Sequence, residues 1–293
     1  MAKKETIAVL GAGGIMGLPI ARNLARAGFD LRAWNRSHEK AAPLADDGAC
    51  LCASPAEATT GADIVLTMLA DADAVLHVIK DALQGVGENA VWMQMSTIGE
   101  SGTERCAELA RERGIAFVDA PVLGTKAPAE QGKLVILASG PEALKDRLQP
   151  IFDVVGQRTL WVGQAGAGTR LKLATNAWVL TVVEGGAETL ALAAGMGIDP
   201  RLVLEAISGG ALDLPYLQMK GTAMIERDFT PSFSLALAAK DAALMEEAAE
   251  RHGLDLPLIR TIRDRLAEGV ERHGDKDMSA TYLTSASAIT TSS

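Results

Sequence analysis

Ile7-Ala8-Val9-Leu10-Gly11-Ala12-Gly13-Gly14-Ile15-Met16-Gly17 decides how the first half of this 293-residue chain folds. The apolar run Ile7–Leu10 reads as a strand buried on both faces. The glycines after it read as a tight turn, and Leu18-Pro19-Ile20-Ala21-Arg22-Asn23-Leu24 reads as the helix that the turn opens. Strand, glycine turn and helix make a phosphate cradle. Glycines let the backbone approach a pyrophosphate, and the helix N-terminus adds unpaired N–H groups and the positive end of its dipole. The spacing Gly11-x-Gly13-x-x-x-Gly17 is one residue longer than G-x-G-x-x-G, so the turn is enlarged and Gly13 or Gly14 takes the close approach. Gly11, Ala12, Gly13, Gly14, Ile15 and Met16 are the candidate cofactor contacts of this turn.

Outward from the turn, strand and helix signals alternate up to about residue 165. Strands are expected over Ile7–Leu10, Asp30–Trp34, Ile64–Met68, Ala90–Met95, Ala116–Asp119, Val135–Ala138 and Thr159–Val162. Helices are expected over Leu18–Ala27, Ala72–Ile79, Glu100–Arg113 and Pro141–Phe152. Such alternation means βαβ units and a mostly parallel sheet. Met68 and Leu69, at the end of their strand, join the cofactor side. The second strand ends in Trp34-Asn35-Arg36-Ser37. An acidic residue there would bond a ribose 2′-hydroxyl, whereas an arginine pairs with a 2′-phosphate. Asn35, Arg36 and Ser37 therefore point to NADP(H) in preference to NAD(H).

After residue 165 the strand signals stop. A long apolar helix is expected over Leu171–Met196, and further helices over Pro200–Ile207 (with Asp199 as N-cap), Ser234–His252 and Leu256–Gly269. The loop from Leu212 to Tyr216 is a candidate pocket wall, and the Ser-, Thr- and Ala-rich tail 279–293 is expected to be mobile. The fold class is therefore α/β: a dinucleotide-binding domain over 1–165, then an all-α domain over 166–293 entered through a long interdomain helix. Near the start of that helix stands Gly166-Ala167-Gly168-Thr169-Arg170-Leu171-Lys172, with Asn176 four residues on and on the same helical face. A lysine and an amide converging near a glycine turn can hold and protonate a carbonyl oxygen. Joined to a dinucleotide site, that implies hydride transfer.

Composition excludes other classes. The net charge is −9 and the pI about 5.1, with no basic stripe, which argues against nucleic acid. Three cysteines, Cys50, Cys52 and Cys106, are too few and too unevenly placed for a disulfide framework, and no second pair or histidine cluster completes a metal site. The N-terminal Met1-Ala2-Lys3-Lys4-Glu5 carries no apolar h-region, and no run is expected to reach membrane-span length, so the setting expected is cytoplasmic. A hydrolase reading has no Gly-x-Ser-x-Gly elbow to rest on.

The ordered motifs resemble those of the β-hydroxyacid dehydrogenase family along nearly the whole chain. They are the Gly11–Gly17 turn, Met95-Ser96-Thr97-Ile98, Asp119-Ala120-Pro121-Val122, Gly166-x-Gly168-x-x-x-Lys172-x-x-x-Asn176 and Lys240-Asp241. The resemblance implies an N-terminal Rossmann domain, a helical C-terminal domain and a homodimer or homotetramer. It also implies that Lys172 is the catalytic lysine and that Asn176 orients the substrate. Ser96 and Thr97 match the segment beside the nicotinamide ribose and the substrate, and Lys240 matches a lysine that closes over the cofactor. Burial between Leu171 and Leu173 would favour the neutral amine that the oxidation direction needs. Trp178, Leu180 and the methionines of the long helix are expected in the core or at a subunit interface.

The stretch Leu123-Gly124-Thr125-Lys126-Ala127-Pro128-Ala129-Glu130-Gln131-Gly132 is similar to the branch of the family that reduces glyoxylate and succinic semialdehyde. It departs where Leu123 replaces a serine, because leucine cannot donate to a carboxylate. The Gly124 and Thr125 N–H groups and the Thr125 hydroxyl remain as the grip, with Lys126 as an added charge. The implied activity is NADP(H)-dependent hydride transfer to a small aldehyde acid. Alternatives are 3-hydroxyisobutyrate dehydrogenase, tartronate semialdehyde reductase and, against the presence of Lys172, an imine reductase. A cofactor-binding scaffold without catalysis is the non-enzyme alternative.

Overall fold

The computed structural model describes residues 5–87 and 89–286. The N-terminal residues 1–4 and the tail residues 287–293 lie outside them. The chain divides into two compact units, Met1–Lys172 and Leu173–Ser293.

The first unit is built on a six-stranded, wholly parallel sheet. Its strands are β1 (Thr6–Leu10), β2 (Asp30–Trp34), β3 (Cys50–Leu51), β4 (Ile64–Thr67), β5 (Val91–Gln94) and β6 (Ala116–Asp119), in the order β3-β2-β1-β4-β5-β6. A second sheet of three strands follows, with β7 (Val122–Leu123) antiparallel and β9 (Gly156–Trp161) parallel to the central β8 (Leu134–Ala138). The helices of this unit are α1 (Gly17–Arg26), α2 (His38–Ala41), α3 (Pro55–Thr59), α4 (Ala72–Ala82), α5 (Gly99–Glu112), α6 (Lys126–Glu130) and α7 (Lys145–Val155). Period-2 alternation explains why both sheet faces are covered. Ile7, Val9, Ile64, Leu66, Val91 and Met93 face a core shared with Ile20 and Leu24 of α1 and Ile151 and Phe152 of α7. Ala8, Leu10, Val65 and Trp92 face the other core, shared with Val75 and Ile79 of α4 and Cys106 and Ala110 of α5.

The seven strands expected from sequence are all present. β3 and β7 were not expected as separate strands. Each spans two residues, too few for an alternation to register. Cys50 and Cys52 straddle the end of β3 as free thiols, and burial pushes the Cys52 thiol up to about 12.

The second unit is all-helical. It continues α8 (Ala167–Gly195) and adds α9 (Arg201–Ile207), α10 (Pro215–Glu226), α11 (Leu235–Arg251), α12 (Pro257–His273) and α13 (Thr281–Ser285). Leu180, Val183, Ala187 and Leu190 recur at three- and four-residue spacing on α8 and join Leu235, Ala238 and Ala242 of α11 and Ile262 and Leu266 of α12 in one core. Pro200, not Asp199, is the N-cap of α9, which begins at Arg201, and Asp199 before it accepts the Arg201 N–H at 3.0 Å.

Three further expectations for this unit need correction. Of the tail 279–293, residues 287–293 lie outside the described residues, and 279–286 are not loose: Met278–Ala280 forms a 3₁₀ turn, α13 follows, and Met278, Tyr282 and Ala286 enter the core while Thr281 donates to Glu184 at 2.7 Å. The expected loop from Leu212 to Tyr216 is shorter, because Pro215 sits at the start of α10, where its missing N–H costs nothing. Tyr216 therefore packs inward, its hydroxyl 3.6 Å from Met278 Sδ, while Leu212 stays exposed. Finally, α8 is 29 residues long and apolar, so among the described residues one run does have the length and composition of a membrane span. A core helix of a soluble protein passes the same test, and on α8 Leu180 and Val183 are buried while Trp178 and Leu192 are exposed.

A buried ion pair closes this unit. Lys220 of α10 lies 2.7 Å from Asp277, both nearly inaccessible, and Asp277 also accepts the N–H groups of Ser232 and Ser279. Burial alone would raise the Asp277 carboxyl, but the Lys220 charge and these donors outweigh it and hold it at about 2. Replacing Lys220 by Met should cost about 3–5 kcal/mol in urea unfolding, because the carboxylate is left buried without its counter-charge. A loss below about 1 kcal/mol would contradict this.

Candidate active site

The glycine turn is tight by necessity. Gly11 has φ +97°, and a Cβ there would sit 2.2 Å from the Met68 carbonyl oxygen. A Cβ on Gly17 would sit 2.1 Å from the carbonyl oxygen of Gly11, so α1 can start only where it does without one. The turn is pinned to β2 by the N–H groups of Gly11 and Ala12, which both donate to Trp34 O at 2.9 and 3.0 Å. Gly14 and Ile15 are exposed, and Met16 gives α1 no side-chain cap. The helix thus opens with backbone donors that no side chain occupies, which fits a phosphate. Gly13 and Gly14 differ. A Cβ on Gly13 would meet the Asn35 amide and the Lys40 stem, each at 2.7 Å, whereas the nearest atom to one on Gly14 is 3.4 Å away.

At the end of β2 the Asn35 amide donates to Ser37 O at 2.8 Å, shaping the turn that presents Arg36 outward. Lys40, exposed on α2, stands over Gly13 beside Asn35. Sequence reading missed Lys40, although its place four residues after Arg36 was the available signal. The Asn35-Arg36-Ser37 turn itself carries no carboxylate.

Beyond β4, the Leu69 N–H donates to Ser96 Oγ at 2.8 Å. Ser96 is 1% exposed, and its backbone is clasped by Gln94, whose side chain accepts the Ser96 N–H and donates to Ser96 O at 2.7 and 2.8 Å. Thr67 donates to the same Gln94 oxygen and accepts from the Trp92 indole. The Ser96 hydroxyl is thus committed to the backbone of the neighbouring loop, and Thr97, half-buried, is the more open of the two. Sequence reading missed Thr67, Trp92 and Gln94.

Leu123 pairs with Val135 in the small sheet, and Gly124 and Thr125 follow as a turn into α6. Thr125 is the N-cap of α6, yet its hydroxyl makes no capping bond. Lys126 pairs with Glu130 at 3.8 Å on the surface, a contact worth little.

Lys172 lies in the second turn of α8 and is 9% exposed. Asn176, one turn on, is 3% exposed and donates its amide to Asp241 at 2.7 Å. Asp241 also pairs with Lys240 at 2.8 Å, so Asn176 and Lys240 share one buried carboxylate, a residue of the Lys240-Asp241 motif to which sequence reading gave no role of its own.

The start of α8 rests on Asp119, fully buried at the end of β6. It accepts the Thr169 N–H and hydroxyl at 2.7 and 2.8 Å. Burial pushes its carboxyl from 3.8 up to about 6, against these hydrogen bonds and one from Ser139. A raised carboxyl takes up a proton in the folded state that the unfolded state does not, so its contribution to stability is full below pH 3.8 and is lost as pH rises through about 6. The stability of the wild type relative to Asp119→Asn should therefore fall by about 3 kcal/mol between pH 3.5 and pH 7 in denaturant titrations. A pH-independent difference would contradict this.

Comparison with known proteins assigns the chain to a family. Residues 6–163 match the family model for the NAD-binding domain of 6-phosphogluconate dehydrogenase, and residues 166–284 match that for the NAD-binding domain of NADP-dependent 3-hydroxyisobutyrate dehydrogenase. Glyoxylate/succinic semialdehyde reductase 1 of Arabidopsis thaliana is 32% identical over 91% of this chain and 94% of its own length. The chloroplastic reductase 2 of the same plant is 32% identical over 91% of this chain and 76% of its own length. The structure of Mycobacterium tuberculosis 3-hydroxyisobutyrate dehydrogenase with L-serine superposes with a TM-score of 0.86 at 29% identity, covering 96% of this chain and 99% of that one. The chain belongs to the β-hydroxyacid dehydrogenase family and is a hydroxyacid dehydrogenase or reductase with a nicotinamide cofactor.

Proposed function

We propose that this β-hydroxyacid dehydrogenase is an NADP(H)-dependent reductase of small aldehyde acids, of the glyoxylate or succinic semialdehyde type, with Lys172 as its proton donor. The observation that carries the reading is a buried lysine held in the second turn of α8, one turn before a buried amide. When bound, the nicotinamide supplies or takes the hydride. The residues of this chain handle the charge. In reduction, negative charge grows on the carbonyl oxygen, and the Lys172 ammonium stabilises and protonates it. In oxidation, the neutral Lys172 amine takes the alcohol proton. Asn176, its amide tied to Asp241, has its carbonyl end and remaining hydrogen to orient the substrate oxygen.

The Gly11–Met16 turn takes the pyrophosphate, with Met68, Leu69 and Thr97 lining the cofactor side and Lys240 adding positive charge. Arg36, Ser37 and Lys40 take the 2′-phosphate, beside Asn35. Gly124 and Thr125 grip the substrate carboxylate, and the uncommitted Thr125 hydroxyl supports that role. Ser96 supports the site by holding Leu69. Leu123 favours a second reading, a substrate less polar at that end, such as a branched hydroxyacid. Exposed Trp178, Leu192 and Met196 on α8 support a homo-oligomer.

Initial rates of NADPH oxidation with glyoxylate, succinic semialdehyde, methylmalonate semialdehyde and tartronate semialdehyde test the reading. Lys172→Ala should lose about 10²–10⁴ in kcat with NADPH binding kept. Undiminished turnover in that variant would remove Lys172 from the chemistry. Arg36→Asp should cut the preference for NADPH over NADH by about 10- to 100-fold, as expected for the loss of a charged hydrogen bond to the 2′-phosphate. An unchanged preference would remove Arg36 from that role.

A further inference from the structure

Asp119 is an unusual place for a charge. It ends β6 with 0% exposure, and its partners are hydroxyls and backbone N–H groups. Those partners come from separate parts of the chain. Thr169, in the first turn of α8, spends both its N–H and its hydroxyl hydrogen on the carboxylate, at 2.7 and 2.8 Å. Because that hydroxyl hydrogen is used, Thr103 of α5, 3.0 Å away, must be the donor to Thr169 Oγ1. Ser139, just past β8, lies 3.3 Å from the carboxylate and accepts the Gly168 N–H at 2.9 Å. The backbones of Asp119 and Ser139 exchange hydrogen bonds in both directions, at 2.9 and 2.7 Å. Gly168 fits only because it has no Cβ, which would lie 2.2 Å from Leu137 O.

The first turn of α8 is thus fixed in position and in rotation. Lys172 follows Thr169 at i+3, on the adjoining face and about 4.5 Å along the axis. Any slip or turn at Thr169 moves the lysine by a comparable amount. Through Thr169, which contacts the Thr103 hydroxyl, the carboxylate is linked to α5, the helix that Thr97 leads into, and it heads the segment that continues to Leu123 and Gly124.

We propose that Asp119 is a positioning residue that aims Lys172, by holding the first turn of α8 through Thr169. The proposal rests on the reading of Lys172 as proton donor. Asp119 touches no reacting atom; it acts through the helix, and misplacing a catalytic group by about 1 Å costs up to about 100-fold in rate.

The test uses the full-length protein with NADPH and whichever aldehyde acid turns over best. Asp119→Asn turns an acceptor of two donors into a group that is half donor, and Thr169→Val keeps shape but removes the hydroxyl. Each should lower kcat by about 10- to 100-fold, with the NADPH Kd, read from fluorescence, within about twofold of wild type. Thr169→Ser, which restores the hydroxyl, should return kcat to within about threefold of wild type. In the Lys172→Ala background, neither Asp119→Asn nor Thr169→Val should lower the residual rate further, because the group they aim is gone.

Wild-type kcat in both folded variants would overturn the proposal. So would an equal fold-loss with and without Lys172, which marks general disruption. Full turnover by Lys172→Ala alone would overturn the reading of Lys172, and this proposal with it. A large loss in Lys172→Ala with no loss in Thr169→Val would overturn this proposal only. If Asp119→Asn does not fold, the Thr169→Val and Thr169→Ser pair decides.

Discussion

The site depends on backbone segments approaching more closely than any side chain permits. At the C-terminal ends of β1 and β4, Gly11 meets the Met68 carbonyl with no room for a Cβ, and Gly17 meets Gly11 in the same way. A third contact of this kind sets Gly168 against the end of β8. The first two fix where α1 begins, and so where the backbone donors of its first turn stand. The third fixes where α8 begins, and so where Lys172 stands. The first two lie at the end of the parallel sheet, where strands stop and helices start, the edge at which open α/β sheets bind their ligands; the third lies at the end of β8 in the smaller mixed sheet.

Around these contacts the polar chemistry is inward and local. Gln94, Thr67 and Trp92 form a buried chain of hydrogen bonds under the Ser96 turn, and Asp119 collects donors from Thr169 and Ser139. The Thr67, Gln94, Ser96 and Asp119 side chains are tolerated in the interior because each is hydrogen-bonded. The surface by contrast is acidic overall, and Arg36 and Lys40 are a local exception placed at the end of β2. In the second unit, Lys220–Asp277 and Thr281–Glu184 tie the C-terminal turns to α10 and α8.

Much of this was legible in the sequence where a pattern is local. Ile7–Leu10 and Ile64–Thr67 are continuous apolar runs between turn signals, the signature of doubly covered parallel strands, and the Gly11–Gly17 turn lies within a single βα unit. What stayed hidden is not local. Thr67 and Gln94 are 27 residues apart, Asp119 and Thr169 50, and Thr103 and Thr169 66, so nothing in the neighbourhood of either partner marks the pair. Short elements such as β3, β7 and α6 escape because two to five residues carry no period. The Ser- and Thr-rich tail misled for a different reason: its composition is polar, yet Met278 and Tyr282 stand one turn apart and enter the core together. Pro215 read as a loop residue, although at the start of a helix it is a favoured one.

The central claim is that hydride passes between NADP(H) and the carbonyl carbon of a small aldehyde acid at this site. Turnover with NADPH deuterated at both C4 positions, followed by mass and NMR analysis of the product, tests it most directly. The account predicts one deuterium per product molecule, on the former carbonyl carbon. Product with hydrogen from solvent at that carbon, or tight NADPH binding with no product from any aldehyde acid, would contradict it.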